Sequence, residues 1–269
     1  MRQLFAQNGM LMQEIDDSGK VIRYADISGK EKIPATDLCE LCLRYGSDKC
    51  GNGYTEFYSK YFESIKTEVR KVLEIGVSGG CSLKMWHDYF FSAKITGVDC
   101  HPEDGCGISE AKVDELKNER TSILFANQKR KEDIDNLKSR IDIDFDIICD
   151  DGSHAQKDQQ TSFAWLFPIV TPGGYYIIED ICAVHSLCNE TIHWGQRDRI
   201  NGSDSTAMFL SNAQKGIFHS EYVNETELLY LKNNIEWIKF HFGCSDGTEK
   251  NATPFEWGGP ITCLIKKKA

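Results

Sequence analysis

Two short apolar runs, each closed by a pair of acidic residues, confine this chain to very few folds. They lie in the stretch from Asp146 to Asp180: the run Phe145 to Cys149 (FDIIC) leads into Asp150 and Asp151, and the run Tyr175 to Ile178 (YYII) leads into Glu179 and Asp180. Both runs are too short for helices and are rich in Ile and aromatic residues, whereas Gln156 to Phe167 between them has helical spacing. Strand, crossover helix and strand predict two neighbouring parallel strands, because parallel pairing needs a crossover and that crossover is right-handed. Both strand ends then face the same way. In an open α/β sheet ligands bind beyond the carboxyl ends of the strands, so Asp150, Asp151, Glu179 and Asp180 are expected to crowd one crevice. Like charges at that range repel, and the crevice either binds a hard divalent cation or holds an acid protonated. His154 follows Asp151 by three residues, and an imidazole exchanges protons near neutral pH, which suits a general base.

The rest of the chain extends the same alternation. Arg70 to Ser82 (RKVLEIGVSGGCS) is a strand running into a glycine turn and a helix at Leu83 to Phe91. Glycines let the backbone approach a ligand, and the helix start offers N–H donors and partial positive charge. A second short strand, Ile95 to Asp99, ends in an acid about 20 residues on, where a carboxylate can accept both hydroxyls of a ribose. Together they describe a mononucleoside pocket, and no Gly-Lys-Ser/Thr follows the turn to hold a triphosphate. Further helices are expected at Ile108 to Asn118, Lys131 to Arg140 and Ser205 to Gly216, with a strand at Ser122 to Phe125. Two final runs, Ile235 to Phe242 and Pro260 to Ile265, are joined by a polar loop too short for a crossover and should pair antiparallel. The expected fold is α/β: a doubly wound, seven-stranded sheet over residues 36–269. Ahead of it, residues 1–35 read as a small β-meander with a turn at Asn8-Gly9, a strong hairpin signal, that must pack on the core or on a second subunit. Between meander and sheet, Ala35 to Ile65 is helical apart from a polar loop from Gly46 to Gly53. The long loop Ile181 to Ser203, with His185, His193 and Trp194, reads as a lid or substrate-binding element.

Charge narrows the partners. With 41 acidic against 31 basic side chains the net charge is −10, which argues against nucleic acid or an anionic membrane surface, since phosphate binding needs clustered Lys and Arg. No apolar run approaches membrane-spanning length and the amino terminus lacks a signal-peptide layout, so a cytoplasmic protein is expected. The 11 cysteines are an odd number and several sit in strands, where a thiol behaves as a small apolar residue, so no disulfide framework is expected. Cys39, Cys42 and Cys50 lack a fourth ligand at zinc-finger spacing. The N-x-S/T triplets at Asn189, Asn201, Asn224 and Asn251 read as chance matches.

The motifs resemble a known family. Glu74, Gly76, Gly79 and Gly80 with Asp99 and a terminal antiparallel strand look like a class I S-adenosylmethionine-dependent methyltransferase with its Rossmann-like sheet. More narrowly, Ser47-Asp-Lys49 with Tyr54, the SLKMW block from Ser82, the DDGSH block from Asp150 to His154, Phe167-Pro168, Pro172 to Gly174 and Glu179-Asp180 resemble the metal-dependent macrolide deoxysugar O-methyltransferases of the mycinamicin and tylosin type. The similarity runs from about residue 44 to 210. The resemblance implies magnesium at Asp151, Glu179 and Asp180 and His154 as base. It implies S-adenosylmethionine with Glu74, Gly76 and Gly79 near its methionine end and Asp99 at its ribose. Asn127 then bonds the adenine amino group, and Ser47, Lys49, Tyr54, Ser82, Gln128 and Asp150 complete the cofactor site. Two positions depart: Asn52 stands where the family has His before the Tyr, and Ala126-Asn127-Gln128 stands for G-D-Q. Macrolide specificity is not implied.

The expected function is therefore methyl transfer from S-adenosylmethionine to a hydroxyl of a sugar or sugar-like small molecule, such as a nucleotide-sugar, by a homo-oligomer. Acceptance of a phosphorylated metabolite, a catechol-like diol or an amine is the alternative, and a non-catalytic nucleoside-binding protein is the reading from another class.

Overall fold

The computed structural model describes residues 2–5, 12–25, 31–104, 107–181, 205–243 and 261–269. The Asn8-Gly9 turn, residues 182–203 with His185, His193 and Trp194, the triplets at Asn189, Asn201 and Asn251, and most of the loop before Pro260 lie outside them.

The chain opens with an antiparallel meander of four strands, one more than the three runs read from sequence: β1 (Arg2–Phe5), β2 (Met12–Ile15), β3 (Val21–Ala25) and β4 (Glu31–Lys32). The extra strand is only two residues long, too short to register as a periodic run. Val21 and Tyr24 of β3 are buried in the same hydrophobic cluster as the first helices, so the meander packs on the core.

Two helices follow, α1 (Asp37–Tyr45) and α2 (Tyr54–Phe62). Thr36 caps the first by accepting from Cys39 N, and Gly46 ends it in the left-handed region at φ 73°, a conformation glycine adopts without Cβ strain. The main sheet is built from β5 (Lys71–Ile75), β6 (Lys94–Asp99), β7 (Thr121–Phe125), β8 (Phe145–Asp150), β9 (Val170–Ile178), β10 (Ile235–Phe242) and β11 (Ile261–Lys267). Its order is β10-β11-β9-β8-β5-β6-β7; the five strands β5 to β9 run parallel, and β11 and β10 pair antiparallel at one side. The chain winds outward from β5 through β6 to β7, then returns to β8 on the other side of β5. That reversal makes the β5/β8 boundary the switch point, where a crevice opens beyond the strand ends.

Alternation along each strand divides the core into two layers. Val72, Ile95, Ile147, Cys149 and Ile177 face α1, α2, α3 (Cys81–Tyr89) and α4 (Glu110–Leu116). Leu73, Val98, Ile148, Tyr176 and Ile178 face α5 (Lys131–Arg140), α6 (Gln156–Leu166), α7 (Thr206–Gln214) and α8 (Glu225–Asn234). The last helix was not read from sequence. Asn224, which opens an N-x-T triplet, is its N-cap, and Asn224 and Glu227 form a reciprocal capping box. Among the described residues no helix is long and apolar enough to cross a membrane.

Candidate active site

At the switch point three strands and the turns after them deliver acids to one place. Asp150 closes β8 and Asp151 starts the turn after it; Glu179 and Asp180 follow β9; Glu74 lies within β5. The pairing of strands fixes this: Ile75 aligns with Asp150, and Asp150 aligns with Ile178. Ligand atoms of Asp151, His154 and Asp180 lie within 4.8 Å of one another, the one such group of potential metal ligands among the described residues. His154 Nε2 is 3.8 Å from Asp151 Oδ1. His154 and Asp180 hold positive φ, 56° and 49°, as does Ser78 at 48° in the glycine turn. Left-handed backbone at non-glycine residues is costly and clusters at functional sites.

The loop between α1 and α2 inserts a cation. Lys49 is fully buried, and its Nζ lies 2.6 Å from Asp151 Oδ2, 2.6 Å from Glu179 Oε2 and 3.6 Å from Glu74 Oε1. Burial works to lower its pKa, but the carboxylates of Asp151 and Glu179 outweigh it and hold the ammonium well above the ordinary lysine range. Helix α2 supplies two phenols: Tyr54 donates to Asp180 Oδ1 at 2.6 Å and Tyr58 to Glu179 Oε1 at 2.8 Å. Tyr58 was missed by sequence reasoning, although its place four residues after Tyr54 puts it on the same helix face. Thr262 of β11, 2.7 Å from the Tyr58 hydroxyl, carried no sequence signal.

The glycine turn abuts this cluster. Gly76 has φ 90°, and a Cβ there would fall 2.1 Å from the Asp151 carbonyl oxygen; the Asp151 amide in turn donates to Ile75 O at 3.0 Å. Asp99 accepts from the amides of Val77 and Ser78 at 2.9 and 3.0 Å and from Cys100 N at 2.7 Å, which fixes its carboxylate beside the turn. Helix α3 begins at Gly80 without a side-chain cap, and a helix start of that kind suits a carboxylate or phosphate. Glu74 accepts from Ser82 Oγ at 2.7 Å and Trp86 Nε1 at 3.2 Å. On the far side Gln128 donates to Asp150 Oδ1 at 3.2 Å and accepts from Ser153 N at 2.7 Å, while Ser162 donates to Asp150 Oδ2. Asn127 caps its own turn, accepting from Lys129 N at 3.1 Å. Ser47 is buried near the start of the Lys49 loop. Thus Glu74, Lys49, Tyr54, Asp151, His154, Glu179 and Asp180 form one contiguous cluster, with Asp99, Asn127, Gln128 and Asp150 along the strand ends beside it. Cys39, Cys42 and Cys50 are buried free thiols; Cys42 Sγ accepts from Cys50 N and donates to Ser47 O.

Three carboxyl groups, Glu74, Asp151 and Glu179, lie within 3.6 Å of one ammonium, so charge is left over. Burial pushes Glu74 up to about 7, against the pull of Lys49, and pushes Asp150 up to about 6. Of the three expected metal ligands, Asp151 and Asp180 fall within one ion's reach together with His154, whereas Glu179 is outside that group, its oxygens bonded to Lys49 and Tyr58. Donors across a magnesium-sized ion sit about 4 Å apart, so the two carboxylates and the imidazole fit a hard divalent ion. The site also fits a nucleoside-bearing cofactor, since the turn at Gly76 has no side chain to obstruct it and the Asp99 carboxylate is fixed beside that turn at the end of the neighbouring strand.

Glu74 yields a pH prediction. Its carboxyl is raised in the folded protein, so the native state holds a proton that the unfolded chain releases near the ordinary value of 4.5. The stability this contributes is present below about pH 4.5 and lost as pH rises through about 7. Glu74→Gln, which cannot titrate, should therefore gain on the parent protein by roughly 2–3 kcal/mol between pH 5 and pH 7.5. Denaturant unfolding at the two pH values checks this, and an unchanged difference would show that Glu74 stays ionised.

No family model matches the chain. Over 198 residues, 69% of the chain, it is 35% identical to mycinamicin VI 2''-O-methyltransferase of Micromonospora griseorubida, covering 45% of that protein. Over 154 residues, 54% of the chain, it is 36% identical to the 8-demethyl-8-(2-methoxy-alpha-L-rhamnosyl)-tetracenomycin-C 3'-O-methyltransferase of Streptomyces olivaceus, covering 37% of it. The chain thus spans less than half the length of these curated relatives. Among solved structures, a methyltransferase of the mycinamycin biosynthetic pathway, in complex with Mg, SAH and mycinamycin VI, aligns with TM-score 0.64 at 27% identity, over 87% of this chain and 55% of that one. The resemblance drawn from the DDGSH and Glu179-Asp180 blocks holds: the chain is similar to these sugar O-methyltransferases in sequence, and its seven-stranded sheet is the fold of that structure.

Proposed function

We propose that this protein transfers a methyl group from S-adenosylmethionine to a hydroxyl of a sugar or sugar-like small molecule, with a divalent ion held by Asp151, Glu179 and Asp180 and with His154 as base. The observation that carries the reading is the gathering of Asp151, His154 and Asp180 within 4.8 Å, directly behind a glycine turn whose Gly76 touches the Asp151 backbone. Proton acceptor and methyl-donor cradle are thereby side by side. The named relatives, which act on rhamnosyl and macrolide-borne sugars, support the acceptor class.

In this mechanism the turn from Gly76 to Gly80 receives the methionine end of the donor, Asp99 accepts the ribose hydroxyls and Asn127 meets the adenine amino group. Magnesium, when bound, supplies a Lewis acid that lowers the pKa of the acceptor hydroxyl. His154 takes the hydroxyl proton onto its ring. The acceptor oxygen forms the new bond to the methyl carbon as the sulfur–methyl bond breaks, and the proton leaves through His154. The Asp151 carboxylate, 3.8 Å from Nε2, stabilises the imidazolium that forms. Lining up oxygen, methyl and sulfur is the larger part of the task, because a bimolecular displacement gains most from orientation.

The acceptor in this reading is a free, nucleotide-linked or aglycone-linked sugar met in the cytoplasm, and the working form is a homo-oligomer, to be checked by light scattering. Labelled methyl transfer from S-adenosylmethionine into a panel of nucleotide-sugars and glycosides, with and without chelator, tests the activity. Label should enter a sugar hydroxyl, stop with EDTA and resume with added magnesium. Full transfer in EDTA, or label in amines alone, overturns the reading.

A further inference from the structure

Lys49, expected from the resemblance to belong to the donor site, has its ammonium on the acids instead. It is 0% exposed and spans two strands' worth of acids, with Asp151 after β8 and Glu179 after β9 each 2.6 Å from its Nζ. Lysine is almost never buried so fully unless paired. The loop that delivers it is anchored at both ends: Tyr54 N donates to Lys49 O at 2.8 Å, and Ser47 N donates to Cys42 O at 3.0 Å. The backbone that carries Lys49 is thereby fixed, and a third acid of the cluster, Glu74, lies 3.6 Å from its Nζ.

An ammonium that bridges two carboxylates does in the ion-free protein what a divalent ion does in the loaded one: it offsets their repulsion and keeps them together. We propose that Lys49 is a positioning residue that serves as an internal counter-cation, holding Asp151 and Glu179 in place without an ion and competing with the ion for them, so that metal binding is weakened and kept reversible. The inference rests on the metal site of the proposed function. Its sign follows from charge alone: a fixed positive charge beside a cation site lowers that site's affinity, and removing it raises the affinity. A lysine that instead supported the loaded state through its hydrogen bond to Glu179 would have the opposite effect.

Manganese titration of the full chain, read by paramagnetic resonance of the free ion without methyl donor or acceptor, separates these. Lys49→Met should tighten manganese binding by about tenfold or more, and saturating manganese should raise its melting temperature further than that of the parent protein. Lys49→Arg, which keeps the charge, should stay within about threefold of the parent. If Lys49→Met folds only with manganese present, Lys49→Gln, which retains a donor to Glu179, takes its place and must shift in the same direction. Unchanged or weaker manganese binding in the neutral variants, with the parent still binding, overturns the role of Lys49 and leaves the metal site standing. Absence of manganese binding in the parent and every variant removes the metal site and this inference together.

Discussion

Gly76→Ala is expected to lower the melting temperature by about 10 °C or more and to abolish binding of the methyl donor, while Gly79→Ala, three residues on, should leave the melting temperature close to that of the parent. The contrast lies in the space around the two backbones. At Gly76 a methyl group would meet the Asp151 carbonyl oxygen at 2.1 Å, its carbon at 2.7 Å and the Gly152 Cα at 3.0 Å, all main-chain atoms, in a residue whose φ is 90°. Left-handed backbone costs an alanine about 1–2 kcal/mol. Shifting the turn after β8 costs more, because Asp151 N is bonded to Ile75 O and Glu179 N to Asp150 O. A total of several kcal/mol follows, and a domain of this size loses about 2–4 °C per kcal/mol. What moves is Asp151, so ion affinity should fall along with donor affinity. At Gly79 the nearest atom to a Cβ is Cys81 Sγ at 3.7 Å, an ordinary contact. Calorimetric melting and titration with S-adenosylhomocysteine check both variants. A Gly76→Ala protein with parental stability would mean that the turn and the acid loop do not share a fixed boundary.

The same pair of strand ends explains why so much of the architecture was legible. Phe145 to Cys149 and Tyr175 to Ile178 announce themselves because a parallel strand buried on both faces is a continuous apolar run, and the acids that follow mark where each leaves the core. Strand order then follows from short connections and right-handed crossovers, which leave little choice once the helices between strands are placed. Helix α8 escaped because its apolar residues, Leu228 to Leu231, are consecutive and so show no helical period, and only Leu231 is buried. Its one clear sequence mark, Asn224 with Glu227 three residues on, is a capping box hidden inside what reads as a chance N-x-T match. Lys49 and Glu74 escaped in another way. Their identities were noted through the family resemblance, but nothing local in sequence says that a lysine 102 residues before Asp151 and 130 before Glu179 will lie 2.6 Å from each. Long-range pairing is set by the register of β5, β8 and β9 and by how α1 and α2 fold over them, not by spacing in the chain. The charge balance of the site is therefore a tertiary property, whereas the acids that create it are a sequence property.

His154→Ala should lower the rate of methyl transfer by about 10²–10⁴ at saturating donor, acceptor and magnesium, the usual range for loss of a general base. The side chain sits where that role requires: it is grouped with Asp151 and Asp180 within 4.8 Å, it is only partly buried, and its backbone is held at φ 56° by the turn before α6. A purely architectural role has a different signature. His154 Nε2 lies 3.8 Å from Asp151 Oδ1, so a residue that merely oriented Asp151 would, on removal, weaken ion binding and be rescued by more magnesium. The base, in contrast, leaves donor and ion affinities close to those of the parent and is not rescued. Measuring manganese affinity, donor affinity and the saturated rate in the same preparation distinguishes the two. A saturated rate reduced by less than about fivefold would take the proton from His154 and give it to a carboxyl group. Asp150 is then the weaker candidate, since its two oxygens already accept from Gln128, Ser162 and Tyr176 in a fully buried pocket. Asp180 is the stronger, because it is partly exposed and lies in the group with Asp151 and His154.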